Sequence, residues 1–298
     1  DGSVRVRGNG VGVHEIVEIH GDVDYSLGNI DAGKDVHISG SVKPGFSVRL
    51  AGDLVVGGTI EGGASINSGG DVAVAQGIVG KDTRVVALGN VQAKFVQNSA
   101  IMARGDITIG SYLRSCDVRA GGRLVVRQGT DGRGGSIVGG QALAAVRIDV
   151  WTVGSASTDR TTIGIVASPD LEAHGHKLSK VVDSCDEFIV RAFRTLGLKT
   201  IDVAEMKQLI ENTPREERTP IMNILRQIKK VTATRVASLQ KQSELERETS
   251  TSLQGGEIHV HDTAFADVEI RLGDRRLKLD QDLEKPVFCL TGDDISTE

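Results

Sequence analysis

The most constraining feature of this sequence is a set of aliphatic residues that recur at every sixth position. A six-residue step fits neither an α-helix, whose apolar period is 3.6 residues, nor a half-buried strand, whose period is two. Three short strands joined by tight corners would make every sixth side chain equivalent, so we expect these residues to point into a narrow interior. They are Ile30, Val36, Val42, Val48, Leu54, Ile60, Ile66, Val72 and Ile78.

Polar residues repeat with a longer period of about eighteen, which equals three of the six-residue steps. We interpret them as corner residues whose side chains cap nearby backbone amides. Each eighteen-residue unit would be one coil, and coils would stack about 4.8 Å apart through parallel strand pairing. The sequence therefore predicts a β-solenoid of eight coils over residues 1–167. The step drifts after Ile78 and again near residues 129–140, where we expect loops to leave the coils. The aligned corner residues are Asp22, Asp35, Asp53, Asp71, Asn90, Asp106, Arg123 and Arg147.

Composition agrees with narrow coils. Of the 37 glycines, 31 precede residue 166, and aromatic residues make up only 3% of the chain. Glycine suits tight corners, whereas large rings would not fit a narrow interior. The net charge of −5 and the few aromatics argue against a nucleic-acid partner. No apolar run approaches the ~20 residues that cross a bilayer, so we expect no membrane span.

Three cysteines without a CxxC pair favour reduced thiols, and hence a cytoplasmic protein without a disulfide framework or a zinc site. The chain opens with Asp1 instead of Met, so we expect the natural protein to have further N-terminal residues.

A helical insertion is predicted over residues 168–254. Ser168 and Pro169 have the order of an N-cap and a first helical residue, and Gly197 is a stop signal. A second, longer helix is predicted over 219–248, and its narrow apolar stripe argues for a coiled-coil hairpin with the first helix. The stripe comprises Ile221, Ile224, Leu225, Ile228, Val231, Val236, Leu239 and Leu245.

The last segment, 255–298, returns to strand patterns. Residues 257–261 alternate in polarity, and residues 268–279 predict a hairpin that turns at Gly273 and Asp274. We expect these strands to return to the solenoid and cover its end.

Several stretches resemble the flagellar assembly protein A (FapA) family. They include Ser68-Gly-Gly-Asp-Val-Ala-Val, Gln76-Gly-Ile-Val-Gly and Gly134-Gly-Ser-Ile-Val-Gly-Gly, and the most specific is the run Ala93-Lys-Phe-Val-Gln-Asn. The order of a β-rich block, a Pro-initiated helical insertion and a closing strand pair is also similar, so the resemblance covers essentially the whole chain.

The resemblance implies a right-handed parallel β-helix and a cytoplasmic bacterial scaffold or regulator of flagellar assembly or placement. It implies protein partners of the flagellar or polar regulatory kind, and no catalytic residue, cofactor or metal. Periodicity alone does not choose the hand, because left-handed hexapeptide acyltransferases share the six-residue step. The irregular coil lengths favour the right-handed form.

An enzyme on a β-helix is the alternative function. An acyltransferase would need a histidine as general base, and the candidates are His14, His20 and His37. A polysaccharide-active enzyme would need carboxylates along one face, for which the candidates are Asp35, Asp53, Asp71 and Asp106. Exposed strand histidines and corner aspartates are the simpler interpretations of both sets.

A metal site is a further alternative. His259 and His261 would share one face of a strand and could ligate a metal with Asp262, but a solvated edge strand is the simpler interpretation.

The long helix carries an excess of basic residues on an acidic protein. Arg226, Lys229, Lys230 and Arg235 are the candidate residues for docking an acidic partner protein, and the alternative is a solvated helix face. Self-assembly into a homo-oligomer or a cytoskeleton-like polymer is also open, because solenoid ends expose unpaired strand edges.

Overall fold

The protein is described by a computed structural model. It describes residues 2–7, 10–129, 132, 134–156, 160–197, 210, 214, 218–292 and 294–297, with the backbone alone for residues before 16. The chain divides into two compact units. One unit comprises residues 1–170 and 251–298, and the other comprises residues 171–250.

The first unit is a β-solenoid of about eight turns, as the sequence predicts. Its parallel strands fall into three ladders, one for each side of the coil. The longer strands turn a corner without losing strand geometry and so belong to two ladders. The strands are β1 Gly2–Arg7, β2 Gly10–Ile19, β3 Ile30–Ala32, β4 Asp35–Ile38, β5 Ser47–Leu50, β6 Leu54–Val56, β7 Ser65–Ser68, β8 Val72–Ala87, β9 Val91–Ala103, β10 Ile107–Ala120, β11 Arg123–Val126, β12 Ser136–Ala144, β13 Arg147–Val150, β14 Thr152–Val153 and β15 Thr161–Ile165.

The six-residue step is the distance from one ladder to the next. Every third member of the set pairs with its equivalent in the adjacent coil: Val36 with Leu54, Val42 with Ile60, and Val48 with Ile66. Eight of the nine aliphatics are at most 1% exposed, and Ile30 in the first coil is partly exposed. The prediction of an aliphatic interior is therefore confirmed. Within it, aliphatic side chains of successive coils stack directly above one another.

The row of polar corners is also confirmed, but its hydrogen bonds are not local. Asp53 Oδ1 accepts the backbone N–H of Asp71 at 2.8 Å, and Asp71 Oδ1 accepts that of Asn90 at 2.7 Å. Each side chain therefore binds the next coil instead of its own corner. The same bond continues from Asn90 to Asp106 and from Asp106 to Arg123.

The predicted alignment is wrong for Asp22, which does not belong to that row. Its Oδ1 accepts the N–H of Ser41, whose Oγ in turn accepts the N–H of Thr59, so it begins a ladder at a different corner. The residue that pairs with Asp35 in the preceding coil is Ile16. This explains why the first interval of the alignment, from Asp22 to Asp35, is shorter than the others.

The drift after Ile78 is not a loop, contrary to the prediction. The chain continues as β8, and the extra residues are absorbed where the register shifts between Val79 and Thr83. Asp82, at φ 63°, turns that corner, as Asn98 and Ser115 do in the following coils. The second predicted loop, near residues 129–140, includes residues 130, 131 and 133, which lie outside the described residues, and the chain resumes as β12 at Ser136.

The helical segment interrupts the solenoid between two consecutive coils. β13 pairs in parallel with β16 (Glu257–Val260), β14 with β17 (Thr263–Ala264), and β15 with β18 (Glu269–Leu272). Helix α1 spans Pro169–Leu196, and Gly197 follows at φ 67°, as its start and stop signals predict. Helix α2 spans Arg218–Gln254, so it begins one residue earlier and ends six residues later than predicted.

Antiparallel strands close the C-terminal end of the solenoid. β18 pairs with β19 (Arg275–Lys278), β17 with β20 (Leu283–Glu284), and β16 with β21 (Val287–Thr291), which is followed by β22 (Asp294–Thr297). Each strand of the last coil thus receives a partner, and Phe288 of β21 is fully buried in the core. The C-terminal strands thus cover this end of the solenoid.

Two further findings concern the chain as a whole. No helix among the described residues is long and apolar enough to cross a membrane.

The three cysteines are free thiols, and burial raises the pKa of the Cys116 thiol above its ordinary value of 9.0.

Candidate partner-binding surface

Helix α2 is strongly basic over most of its length. Between Arg218 and Lys241 it carries six basic side chains and no acidic one. Three of the four predicted docking residues, Arg226, Lys229 and Lys230, are exposed and have no ion-pair partner in the described part of the chain. Their charges are therefore available to a binding partner.

The fourth predicted residue, Arg235, lies in a different environment. Its guanidinium donates through Nε and Nη2 to the two carboxylate oxygens of Asp186 on α1. The Arg235 side chain is 37% exposed, so it is partly enclosed between the helices. A residue that already neutralises a carboxylate of its own chain offers less to a partner than the three free cations do.

The contacts between α1 and α2 explain which residues of α2 face outward. Ile228 is 2% exposed and belongs to a buried cluster with Ala192 and Leu196 of α1. Farther along α2, Arg235 pairs with Asp186, which lies earlier in α1, so the two helices are antiparallel. The buried residue after Arg235 is Ser238.

The predicted apolar stripe of α2 is therefore wrong at two of its eight positions. Val236 and Leu239 are 47% and 38% exposed, because Arg235 and Ser238 take the inward positions at this level. Sequence reasoning favoured the aliphatic residues, since apolar side chains usually fill a helix interface. The pairing of Arg235 with Asp186, which lies 49 residues earlier, gives no local signal in the sequence.

The candidate histidines for catalysis are dispersed. His20 and His37 are exposed, and the side chain of His14 lies outside the described residues. The candidate carboxylates Asp35, Asp53, Asp71 and Asp106 each use one oxygen to hold a backbone amide of the next coil. Their arrangement is explained by the stacking of the coils.

The two histidines proposed for metal binding lie on the last coil beside acidic residues. His259 Nε2 is 2.7 Å from Glu257 Oε2, and His261 Nε2 is 3.7 Å from Asp149 Oδ1. The indole of Trp151 lies against the His261 ring, with centroids 5.7 Å apart. Within the described ranges, no group of three or more His, Cys, Asp or Glu side chains has the geometry to hold a metal ion.

A groove of about 690 Å³ lies beside the last two coils and is lined by charged side chains that pair with one another. Arg160 and Arg276 approach the two oxygens of Glu269 at 3.4 and 3.2 Å, and Lys278 binds Asp267 at 2.7 Å. Unlike Arg226, Lys229 and Lys230 of α2, these cations already have partners within the chain.

Comparison with known proteins gives one finding of family membership. Residues 15–295 match the family described as the Flagellar Assembly Protein A beta solenoid domain, FapA. No curated protein and no solved structure matches the chain. The match spans the stacked coils, the helical segment and the closing strands, and the chain therefore belongs to the FapA β-solenoid family.

Proposed function

We propose that this protein is a non-enzymatic scaffold that acts in flagellar assembly by binding partner proteins in the bacterial cytoplasm. The solenoid would supply a rigid body, and the helical insertion, residues 168–254, would present the docking surface. Membership of the FapA family supports the link to flagellar assembly. The observation that carries the binding role is the set of exposed, unpaired cations Arg226, Lys229 and Lys230 on α2.

Electrostatics supports an acidic partner for this surface. The whole chain has a net charge of −5, so an acidic partner must be guided by a local positive field instead of by the overall charge. The exposed cations Arg226, Lys229 and Lys230 produce such a field, and charges at the rim of an interface increase association rates. Arg235 would contribute indirectly, by fixing α2 against α1.

We also propose that the solenoid is right-handed and that α1 and α2 form a coiled-coil hairpin. The steps along one ladder vary, since Val91 is followed by Ile107 and Leu124 by Ile148, and strict left-handed coils tolerate such variation poorly. On α1, a subset of the less exposed positions recurs at alternating steps of four and three residues, the spacing of a coiled-coil seam. They are Leu171, Gly175, Leu178, Val182, Cys185, Ile189, Ala192 and Leu196.

The test is complementation in a flagellated bacterium that encodes this protein. We expect a deletion strain to assemble flagella when it carries the wild-type gene, and to fail with the triple variant Arg226→Glu, Lys229→Glu, Lys230→Glu. The three side chains are exposed, so the variant should keep the wild-type unfolding temperature. Flagella would be counted by electron microscopy.

A matched control reverses three exposed cations of α1, Lys177→Glu, Lys180→Glu and Arg194→Glu, and should complement normally. Full complementation by the α2 variant would remove this surface as the docking site. A deletion strain with normal flagella would remove the assembly role.

A further inference from the structure

A second stripe on α2 has a charge pattern that is complementary to itself. Residues spaced three or four apart lie on one face of a helix. Every residue of one such set is exposed, and the set lies opposite the inward residues Ile228 and Ser238. The stripe consists of Arg226, Lys230, Ala233, Ala237, Gln240, Glu244 and Glu248.

The stripe is basic at one end, small in the middle and acidic at the other end. Arg226 and Lys230 precede Ala237 by eleven and seven positions, and Glu244 and Glu248 follow it by seven and eleven. None of these four charged side chains has an ion-pair partner within the described residues. The spacing corresponds to about 10 and 16 Å on either side of Ala237 at 1.5 Å per residue.

We propose that this stripe is a docking surface for a second copy of the chain, with the two α2 helices antiparallel and Ala237 at the two-fold axis. Arg226 then faces Glu248 of the second copy, and Lys230 faces its Glu244. Two-fold symmetry repeats both pairs, so four charged contacts form. Ala233 and Ala237 have small side chains, which let the two helix backbones approach closely in the centre.

The charge order selects this occupant over a uniformly charged one. An acidic surface along the whole stripe would be attracted to Arg226 and Lys230 and repelled by Glu244 and Glu248. A partner that lies along the whole stripe must therefore present the reverse order of charges, and the same helix running in the opposite direction does so. This inference rests on the proposed function, because it assigns a partner to Arg226 and Lys230 of the same basic surface.

The experiment uses two variants of the full chain that have complementary charge. Arg226→Glu with Lys230→Glu makes both ends of the stripe acidic, and Glu244→Lys with Glu248→Lys makes both ends basic. We expect the wild type to form dimers at low ionic strength and to dissociate as salt is added. Each variant alone should associate at least about tenfold more weakly, because four exposed ion pairs become like-charge contacts. An equimolar mixture of the two should recover dimers that contain one chain of each.

Sedimentation velocity over a range of concentrations measures these masses, and a tag on one variant identifies the mixed dimer. Lys177→Glu with Lys180→Glu, on α1, introduces the same change of charge as the acidic variant and should leave dimers intact. Circular dichroism of each variant checks that the helices are retained.

A monomeric wild type at high concentration, a mixture that stays monomeric, or assemblies larger than two chains would each overturn the inference. Those outcomes are separable from failure of the proposed function. A monomeric wild type whose triple variant still blocks flagellar assembly would refute self-docking and leave the partner-binding role standing.

Discussion

At the scale of single residues, the glycines that directly precede the polar corner residues from Asp53 to Arg123 are explained by lack of space for a side chain and not by backbone conformation. Gly70 does not have a positive φ, yet a Cβ at this position would overlap Asp53 Oδ1 of the preceding coil. The same overlap occurs between Gly89 and Asp71. The glycine and the aspartate therefore act together. Each aspartate side chain passes over the glycine of the next coil and accepts a hydrogen bond from the backbone N–H of the residue after that glycine.

A glycine substitution tests this explanation. We expect Gly70→Ala to lower the free energy of unfolding by about 1–3 kcal/mol, the usual cost of overpacking, because the Asp53 carboxylate must move from its amide. Gly62→Ala is the matched control. A Cβ there meets no atom nearer than 3.7 Å and the backbone is not left-handed, so its effect should stay within about 0.5 kcal/mol. Urea unfolding measures both, and equal effects would contradict the spatial role of Gly70.

At the scale of elements, the helical segment combines an apolar end with a polar end. Ile228 packs with Ala192 and Leu196, whereas Arg235 and Ser238 replace aliphatic residues farther along α2. The Arg235 and Asp186 side chains are 37% and 47% exposed, so their ion pair is partly screened by water. Its main consequence is to specify which residues of α2 face α1.

A charge exchange tests that ion pair. We expect Arg235→Asp to lower the melting temperature of the helices, by an amount equivalent to about 0.5–1 kcal/mol, because it places two carboxylates together. The double variant Asp186→Arg, Arg235→Asp should recover most of the loss. Far-ultraviolet circular dichroism follows the melting of the helices. If the double variant were no more stable than the single one, the two side chains would not be paired.

At the scale of the whole molecule, the C-terminal strands determine what the end of the solenoid can bind. Parallel coils end in three unpaired strand edges, which are templates for aggregation. Here β19, β20 and β21 occupy those edges, and the Phe288 side chain of β21 is buried in the core. Stacking of another solenoid onto this end would require these strands to leave.

Loosening this closure should therefore promote self-association. We expect Phe288→Ala to lower the free energy of unfolding by about 3–5 kcal/mol and to give concentration-dependent aggregates as β21 detaches from β16. Tyr25→Ala removes a ring that is 95% exposed and should change stability by less than about 1 kcal/mol, without aggregation. Light scattering and urea unfolding measure the two effects. A Phe288→Ala protein that stays monodisperse would show that the closing strands do not protect the end.

The candidate surface was only partly predictable. The cations Arg226, Lys229 and Lys230 were identified because a local excess of charge is visible in any sequence. The ion pair that distinguishes Arg235 from them could not be predicted, because its partner Asp186 lies on another helix. The self-complementary stripe emerges only when the inward residues of α2 are known, since they determine which face of the helix is left exposed.

The sequence by itself determined the three-sided coil, the corner residues, both helix starts and the closing strands, because each depends on local spacing or on a repeat that stacks residue upon like residue. Tertiary structure alone decided which hydrogen bonds and ion pairs join one coil to the next and one helix to the other. It showed that the corner carboxylates bind the next coil, that Asp22 belongs to a separate ladder, and that Val236 and Leu239 face outward. These outcomes depend on atoms that are distant in sequence and meet only after folding, so no local pattern encodes them.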